Sequence, residues 1–292
     1  MNRRVAALAA ALFLVSSTAA CRTSSGASPP PTGPVGNLVL AAATRPTAVK
    51  TLAFTLDVKI VDRSGRLVHL GGDGAVDNPR ALVTMNLNTQ GLLAQEPFVR
   101  PMISDGRDLY LRIPDTTPPQ LGGKHWVRLD PAGLAQPSGR VFDGLARRFR
   151  AFDPRANLAL LAGAAGGVSE EGKEDVGGVT VRRFALNVNL PRAKSAAPTA
   201  VRVSMEELVR ELRVKTLPVE VEIDGDGFPR RFSYDLPASR TRMPGTGKLK
   251  EDVEVRFDLF DFDKTVKAGP LNPAEIVNLS ELPNPLAVVG FE

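Results

Sequence analysis

Hydrophobic and polar residues alternate along much of this chain, and the alternation predicts β-strands. In the segment 52–61, Phe54, Leu56 and Val58 point to one side and the polar residues between them point to the other. Because side chains on a strand alternate between its two faces, this pattern is typical of a half-buried strand. Turn-forming residues recur at intervals of roughly ten residues, as in an antiparallel meander. Strands are predicted at 52–61, 67–76, 80–88, 98–103, 108–113, 124–130, 168–176, 179–190, 218–223, 231–236 and 250–262.

The middle of the chain changes from the strand period to the helical one. Apolar residues in 141–152 recur at helical spacing, and Asp153 followed by Pro154 marks the start of a second helix. A further helix is predicted at 204–214. Ser204 and the glutamate three residues later would form a capping box at its N-terminus.

These elements together predict the fold class. Strands dominate both halves of the chain, and the helices, including a short one at 37–48, fall in groups between them. We therefore expect an α+β fold in which one large antiparallel sheet lies over a few helices. A sheet with this many strands must curl. One domain is expected over residues 37–292, ending in a Pro-rich C-terminal tail.

The N-terminus carries the pattern of an export signal. Two arginines precede an unbroken apolar run at 5–15, and small residues follow up to position 20. The run is shorter than the roughly 20 apolar residues that a membrane-spanning helix needs. We therefore interpret residues 1–20 as a cleaved signal peptide.

Cys21 is the only cysteine in the chain, and it directly follows this signal. The small residues before it resemble the lipobox of bacterial lipoproteins, which implies a diacylglycerol anchor on the Cys21 sulfur. Thr18 stands where the lipobox usually has an aliphatic residue, so secretion as a free protein remains the alternative. Residues 21–36 are rich in Ser, Pro and Gly and are predicted to form a disordered tether.

Composition and motifs give no support for catalysis. The 292 residues carry a net charge of +5 in scattered pairs, without the basic stripe and stacking aromatics that nucleic-acid binding requires. The two histidines, His69 and His125, lie far apart in strand-like segments, and neither a catalytic elbow nor a zinc motif is present. Asp224 begins a Gly-rich hairpin turn that lacks the calcium ligands of an EF-hand. We therefore expect no enzyme activity, no cofactor, no metal and no nucleic-acid partner.

Several stretches resemble, in order, the actinobacterial LppX/LprA/LprF/LprG lipoprotein family, whose fold is similar to that of LolA. They are 108–112 (DLYLR), 123–130 (GKHWVRLD), 167–179 (GVSEEGKEDVGGV) and 217–224 (LPVEVEID), which continues to Arg230 and Arg231. The resemblance implies a half-barrel of antiparallel strands wrapped over helices. It also implies an apolar cavity for acyl chains inside that half-barrel. The residues expected to line the cavity are Phe54, Leu56, Val58, Val83, Met85, Leu87, Phe142, Leu145, Phe149, Leu158, Leu161, Phe184, Leu186 and Val188.

The function expected from this resemblance is that of a membrane-anchored carrier. It would bind the acyl chains of a lipid, glycolipid or lipoglycan and move them through the cell envelope from the extracytoplasmic face of the cell membrane. A monomer is expected, with a membrane transporter as a further partner. Two alternatives remain open: an envelope sensor or scaffold whose apolar interior is a filled core, and an envelope hydrolase with a carboxylate pair that sequence does not single out.

The anchor gives a direct test. Replacing the sulfur in Cys21→Ser removes the atom to which a lipid would be attached, so the protein should move from the membrane fraction to the soluble envelope fraction. Fractionation and immunoblotting against the unchanged chain measure this shift. A Cys21→Ser protein that stays with the membrane would contradict lipid attachment at this residue.

Overall fold

The computed structural model describes residues 29–61, 67–90, 98–114, 121–137, 139–236, 252–266 and 271–288. The predicted signal peptide 1–20, Cys21 and the first part of the tether lie outside the described residues. Among the helices that the structure describes, none combines the length and apolar character needed to cross a bilayer.

Twelve strands in the described residues form one sheet. In chain order they are β1 Thr51–Val61, β2 Leu67–Asp77, β3 Leu82–Gln90, β4 Phe98–Ser104, β5 Leu109–Arg112, β6 Trp126–Arg128, β7 Ala164–Val176, β8 Val179–Asn189, β9 Thr216–Asp224, β10 Pro229–Leu236, β11 Asp252–Phe260 and β12 Ile276–Asn278. Across the sheet they run β12-β6-β5-β4-β3-β2-β1-β11-β10-β9-β8-β7. Neighbours are antiparallel except β12 and β6, which are parallel. Because β12 and β7 are the two edges, the sheet does not close on itself.

Eight α-helices lie in the described residues, three of them between β6 and β7 and two between β8 and β9. They are α1 Gly33–Ala42, α2 Arg45–Ala48, α3 Pro131–Leu134, α4 Gly139–Ala151, α5 Pro154–Ala159, α6 Leu190–Ala196, α7 Arg202–Leu212 and α8 Pro285–Val288. A short 3₁₀ turn, Leu160–Gly163, continues α5 into β7. The predicted α+β class, with a large antiparallel sheet over a few helices, is confirmed.

The strand register brings the predicted apolar positions onto one face, which we call the inner face. In the pairing of β1 with β11, Leu56 lies opposite Phe257 and Val58 lies opposite Val255. On β2 the position opposite Phe54 is Gly74. A Cβ on Gly74 would lie 2.5 Å from Cζ of Phe54, so only glycine lets this aromatic ring cross the neighbouring strand.

The start of α5 agrees with the capping residue predicted from the sequence, whereas the start of α7 does not. Asp153 is the N-cap of α5, as predicted, because its Oδ1 accepts a hydrogen bond from the backbone N–H of Arg155 at 2.9 Å. The predicted capping box at Ser204 is wrong. The helix α7 begins two residues earlier, and the Ser204 hydroxyl donates instead to Asp153 Oδ2 at 3.3 Å.

Among the element boundaries that differ from the sequence-based prediction, two have a local cause. The helix α1 begins at Gly33, inside the predicted tether, because Pro34 occupies the first turn, where proline favours helix entry. The chain after β8 turns at once into α6, where Asn189 accepts a hydrogen bond from the backbone N–H of Arg192 at 2.9 Å. The sequence pattern predicts instead that the strand continues to residue 190.

The C-terminal tail is part of the sheet rather than a loose extension. Its strand β12 pairs with β6, and Arg128 Nε donates to Asn278 Oδ1 at 2.8 Å. Asp130, the N-cap of α3, also accepts a hydrogen bond from the backbone N–H of Ser280 at 3.0 Å. These contacts join segments that lie 150 residues apart in the sequence.

The opposite, outer face of the sheet is charged, and one of its carboxyl groups is buried. Glu222 on β9 is only 5 % exposed and lies beneath Arg231, whose guanidinium also pairs with Glu174 and Asp258. Burial raises the pKa of Glu222 to about 8, and a hydrogen bond with Glu174 contributes in the same direction. The positive charge of Arg231 opposes this shift in pKa without cancelling it.

This group should make stability depend on pH. A carboxyl whose pKa rises from 4.5 to about 8 on folding binds more protons in the folded state between those values. Its contribution to the free energy of unfolding is therefore complete below about pH 4.5 and is lost as the pH rises toward 8. Glu222→Gln mimics the protonated form, so the stability of this variant relative to the unchanged protein should increase from pH 5 to pH 8.

Urea denaturation at several pH values measures this difference. Glu220→Gln is the matched control, because Glu220 lies on the same strand but is exposed. Its stability relative to the unchanged protein should not vary with pH. Parallel pH profiles for Glu222→Gln and the unchanged protein would contradict the prediction.

Candidate functional site

The inner face of the sheet and the helices enclose one continuous apolar cluster, which we call the interior. All fourteen residues predicted to line a cavity belong to the interior or pack against it. Thirteen of them are buried, and Leu145 on α4 is half-buried. The strands β1, β3 and β8 contribute Phe54, Leu56, Val58, Val83, Met85, Leu87, Phe184, Leu186 and Val188, and the helical segment contributes Phe142, Leu145, Phe149, Leu158 and Leu161.

The interior is closely packed in this structure. Phe54, Phe142 and Phe184 each have 0 % of their surface exposed, so no space the size of a water molecule adjoins them. The same holds for Leu158 and Leu161 on the helical side. These five side chains therefore pack without voids between the sheet and the helices.

A small cavity reaches the interior at one end of the sheet, and we call it the mouth. It has a volume of about 100 Å³ and lies where α4, α5 and the start of α7 meet the end of β4. Val83 and Phe149, two of the fourteen predicted lining residues, form part of its wall. The remaining lining residues are Ser104, Gly106, Arg150, Asp153, Arg155, Thr199, Ala200, Val203 and Ser204.

A buried ion pair forms one side of the mouth. Asp153 Oδ2 accepts a hydrogen bond from Arg155 Nη2 at 2.8 Å, and Asp153 Oδ1 accepts one from Arg155 Nε at 3.0 Å. Both side chains are nearly inaccessible, at 6 % and 4 % exposed. Burial alone would lower the pKa of Arg155, but the adjacent carboxylate raises it, so the guanidinium remains charged.

This pair is connected to three further elements. Ser204 joins it to α7, and Arg155 Nη1 donates to Asn78 Oδ1 at 3.0 Å in the turn between β2 and β3. The amide of Asn78 donates in turn to the carbonyls of Pro46 and Val49 at 2.7 and 2.8 Å. The pair thus holds one end of the helical layer to one end of the sheet.

Arg150 occupies another side of the mouth and is bound more loosely. It is half-buried near the C-terminal end of α4, and its Nη2 donates to the carbonyl of Arg107 at 3.4 Å. That distance is at the weak end for such a bond. Arg150 therefore places a cation at the boundary between solvent and the apolar side chains of Val83 and Phe149.

A larger groove of about 980 Å³ lies over the outer face of β7 to β11. Its outward side chains are small or acidic, among them Ser169, Ala185, Ser233, Asp235 and Glu254. The carboxylate of Glu254 also pairs with Lys59 at 3.2 Å. The groove is separated from the interior by the thickness of the sheet.

The histidines and carboxyl groups considered as candidates for other chemistry lie away from the mouth. The described part of the chain contains no group of three His, Cys, Asp or Glu residues arranged as metal ligands. His69 lies on the outer face against Asp57, with Nε2 and Oδ2 2.9 Å apart. The converging carboxyls of Glu174 and Glu222 line neither the mouth nor the outer groove.

Sequence reasoning did not identify Arg150, Arg155 or Ser204 as residues of the mouth. The Asp153 and Pro154 pair was interpreted only as a helix start, although it also supplies the partner of a buried cation. One available signal was Arg155 itself, the only charged residue in the otherwise apolar and amide-bearing helix α5. An unpaired arginine rarely lies in such a segment, because burying its charge is costly.

No protein-family model and no curated protein sequence matches the chain. Similar solved structures do exist, and they include members of the family that the sequence motifs resemble. LprF from Mycobacterium bovis is 10% identical with a TM-score of 0.44, over 80% of this chain and 95% of that chain. Lipoprotein LppX from Mycobacterium tuberculosis is 13% identical with a TM-score of 0.43, over 80% of this chain and 99% of that chain. A LolA superfamily protein from Nitrosomonas europaea is 7% identical with a TM-score of 0.28, over 80% of this chain and 95% of that chain.

The buried ion pair gives a stability prediction. Asp153→Ala leaves the charge of Arg155 buried without a partner, so the free energy of unfolding should fall by about 3–5 kcal/mol. The matched control is Asp143→Ala, which breaks the partly exposed pair with Arg147 on α4 and should cost no more than about 0.5 kcal/mol. Urea denaturation measures both values, and equal losses in the two variants would contradict the assigned role of Asp153.

Proposed function

We propose that this chain is a lipid-binding lipoprotein that holds acyl chains in the interior and carries the lipid through the cell envelope. The observation that carries the proposal is the continuity between the mouth and the interior. Val83 and Phe149 belong to both, so an acyl chain passing the mouth meets apolar side chains without crossing a polar layer.

The physical need for such a container comes from the hydrophobic effect. Each methylene that leaves a membrane for water costs about 0.8 kcal/mol, so a lipid with two long chains resists leaving by roughly 20 kcal/mol. A protein offsets this cost only if it surrounds the chains with apolar surface. The inner face and the facing helices provide such a surface over three strands and two helices.

Lipid uptake requires the interior to open. The mouth, at about 100 Å³, is smaller than the roughly 300–1,000 Å³ of typical small-molecule sites. The helices meet the sheet largely through aliphatic and aromatic side chains, which can separate and repack around an alkyl chain without leaving polar groups unpaired. The ion pair of Asp153 and Arg155 keeps α5 in place, so we expect α4 and α7 to move most.

The N-terminal residues fit the same proposal. A diacylglycerol on Cys21 would hold the domain at the extracytoplasmic face of the cell membrane, and the residues that follow would serve as a tether. Lipid or lipoglycan acyl chains are the proposed ligands, a membrane transporter is a proposed partner, and the carrier would act as a monomer. The role needs no catalytic group and no cofactor.

Native mass spectrometry and photo-crosslinking test the proposal. The full chain, purified from a host that contains lipids, should retain an acyl lipid that adds a discrete mass. A fatty acid with a diazirine at its terminal carbon should then label inner-face residues such as Leu56 and Val58. Asp57 and Lys59, which alternate with them on β1, are the internal control and should remain unlabelled.

Two results would overturn the proposal. One is a purified protein whose measured mass includes no bound lipid and which takes up no added lipid, because the interior would then be a filled core. The other is labelling that is confined to the outer face, because the lipid would then bind without entering the interior.

A further inference from the structure

The mouth has an apolar wall and a cation without an acidic partner. Among the described residues, no carboxylate lies within ion-pair distance of Arg150, whose guanidinium makes the long bond to the carbonyl of Arg107. Val83 and Phe149 lie beside it in the same cavity. An arginine at such a boundary can bind an anion while its neighbours contact hydrocarbon.

The other charges at the mouth do not offset Arg150. Asp153 is the only carboxylate that lines the cavity, and both of its oxygens accept hydrogen bonds from Arg155. That pair is neutral as a unit, so the mouth retains one positive charge. The hydroxyl of Ser204 also donates to Asp153, which leaves Arg150 as the group available to an incoming ligand.

We infer that the mouth is the entrance for an acyl lipid with an oxyanion headgroup, a phosphate or a carboxylate, bound by Arg150. This inference rests on the proposed function. The acyl chain passes between α4 and α7 against Val83 and Phe149, and the headgroup stays at the surface. A guanidinium donates two parallel hydrogen bonds to either oxyanion, which a neutral polyol headgroup cannot match.

Two probes with the same acyl chain test the headgroup preference. Native mass spectrometry of the purified full chain, titrated with oleoyl lysophosphatidylglycerol or with monooleoylglycerol, gives the two affinities. The unchanged protein should bind the anionic probe about tenfold more tightly, since a charge-assisted pair contributes on that scale. Arg150→Gln should remove most of this preference while retaining binding of the neutral probe.

Arg148→Gln is the matched control. Arg148 lies in the last turn of the same helix and does not line the mouth, so this variant changes the net charge equally and should keep the preference. Equal binding of the two probes by the unchanged protein would overturn the inference and leave the proposed function standing. Equal loss of preference in both variants would also overturn it. If neither probe binds, the proposed function itself fails, and this inference fails with it.

A second pair of variants tests the location of the entrance. Val203 lies at the rim of the mouth and is 55% exposed, so Val203→Trp should cover the opening without disturbing the core. Val61→Trp places the same substitution at an exposed valine at the far end of β1. Stopped-flow uptake of both probes should slow about tenfold in Val203→Trp only, and unchanged rates in that variant would overturn the assignment of the entrance.

Discussion

The ion pair between Asp153 and Arg155 is the constraint on which the arrangement of sheet and helices depends. A buried arginine is tolerable only with a carboxylate in contact, and here that carboxylate is also the N-cap of the arginine's own helix. The pair reaches α7 through Ser204 and the turn after β2 through Asn78. Directional bonds therefore fix the position of α5, whereas most contacts between helices and sheet are apolar and adaptable. Such a contrast between a fixed helix and an adaptable apolar layer is what the proposed lipid-binding function requires.

The two faces of the sheet have opposite chemistry because strand residues alternate. The inner face presents an unbroken apolar surface, and the outer face presents paired charges, with Arg231 shared among Glu174, Glu222 and Asp258. Glu222 is nevertheless buried on the outer face, because the long side chain of Arg231 covers it.

Much of this fold could be predicted from local patterns, because a period of two residues assigns each strand residue to a face. That logic placed Phe54, Val83 and Phe184 together although they lie on three separate strands. The same logic does not predict contacts between residues that lie far apart in the sequence. The Ser204 hydroxyl does not cap its own helix but donates a hydrogen bond to Asp153, which is 51 residues away in the sequence. Nothing in the local sequence shows that β12 pairs with β6. The close packing of the interior and the position of the mouth depend on how α4 and α7 pack against the sheet. The spacing of apolar residues in the sequence does not determine that packing.

The pairing of β12 with β6 also bears on how the chain folds during synthesis. Until residues 276–278 leave the ribosome, β6 has an unpaired backbone along one side, which is a template for another chain. The bonds from Arg128 to Asn278 and from Ser280 to Asp130 each close a loop of 150 residues, so they form late and against a large loss of chain entropy. The last strand in the described residues thus ties completion of the sheet to the end of chain synthesis.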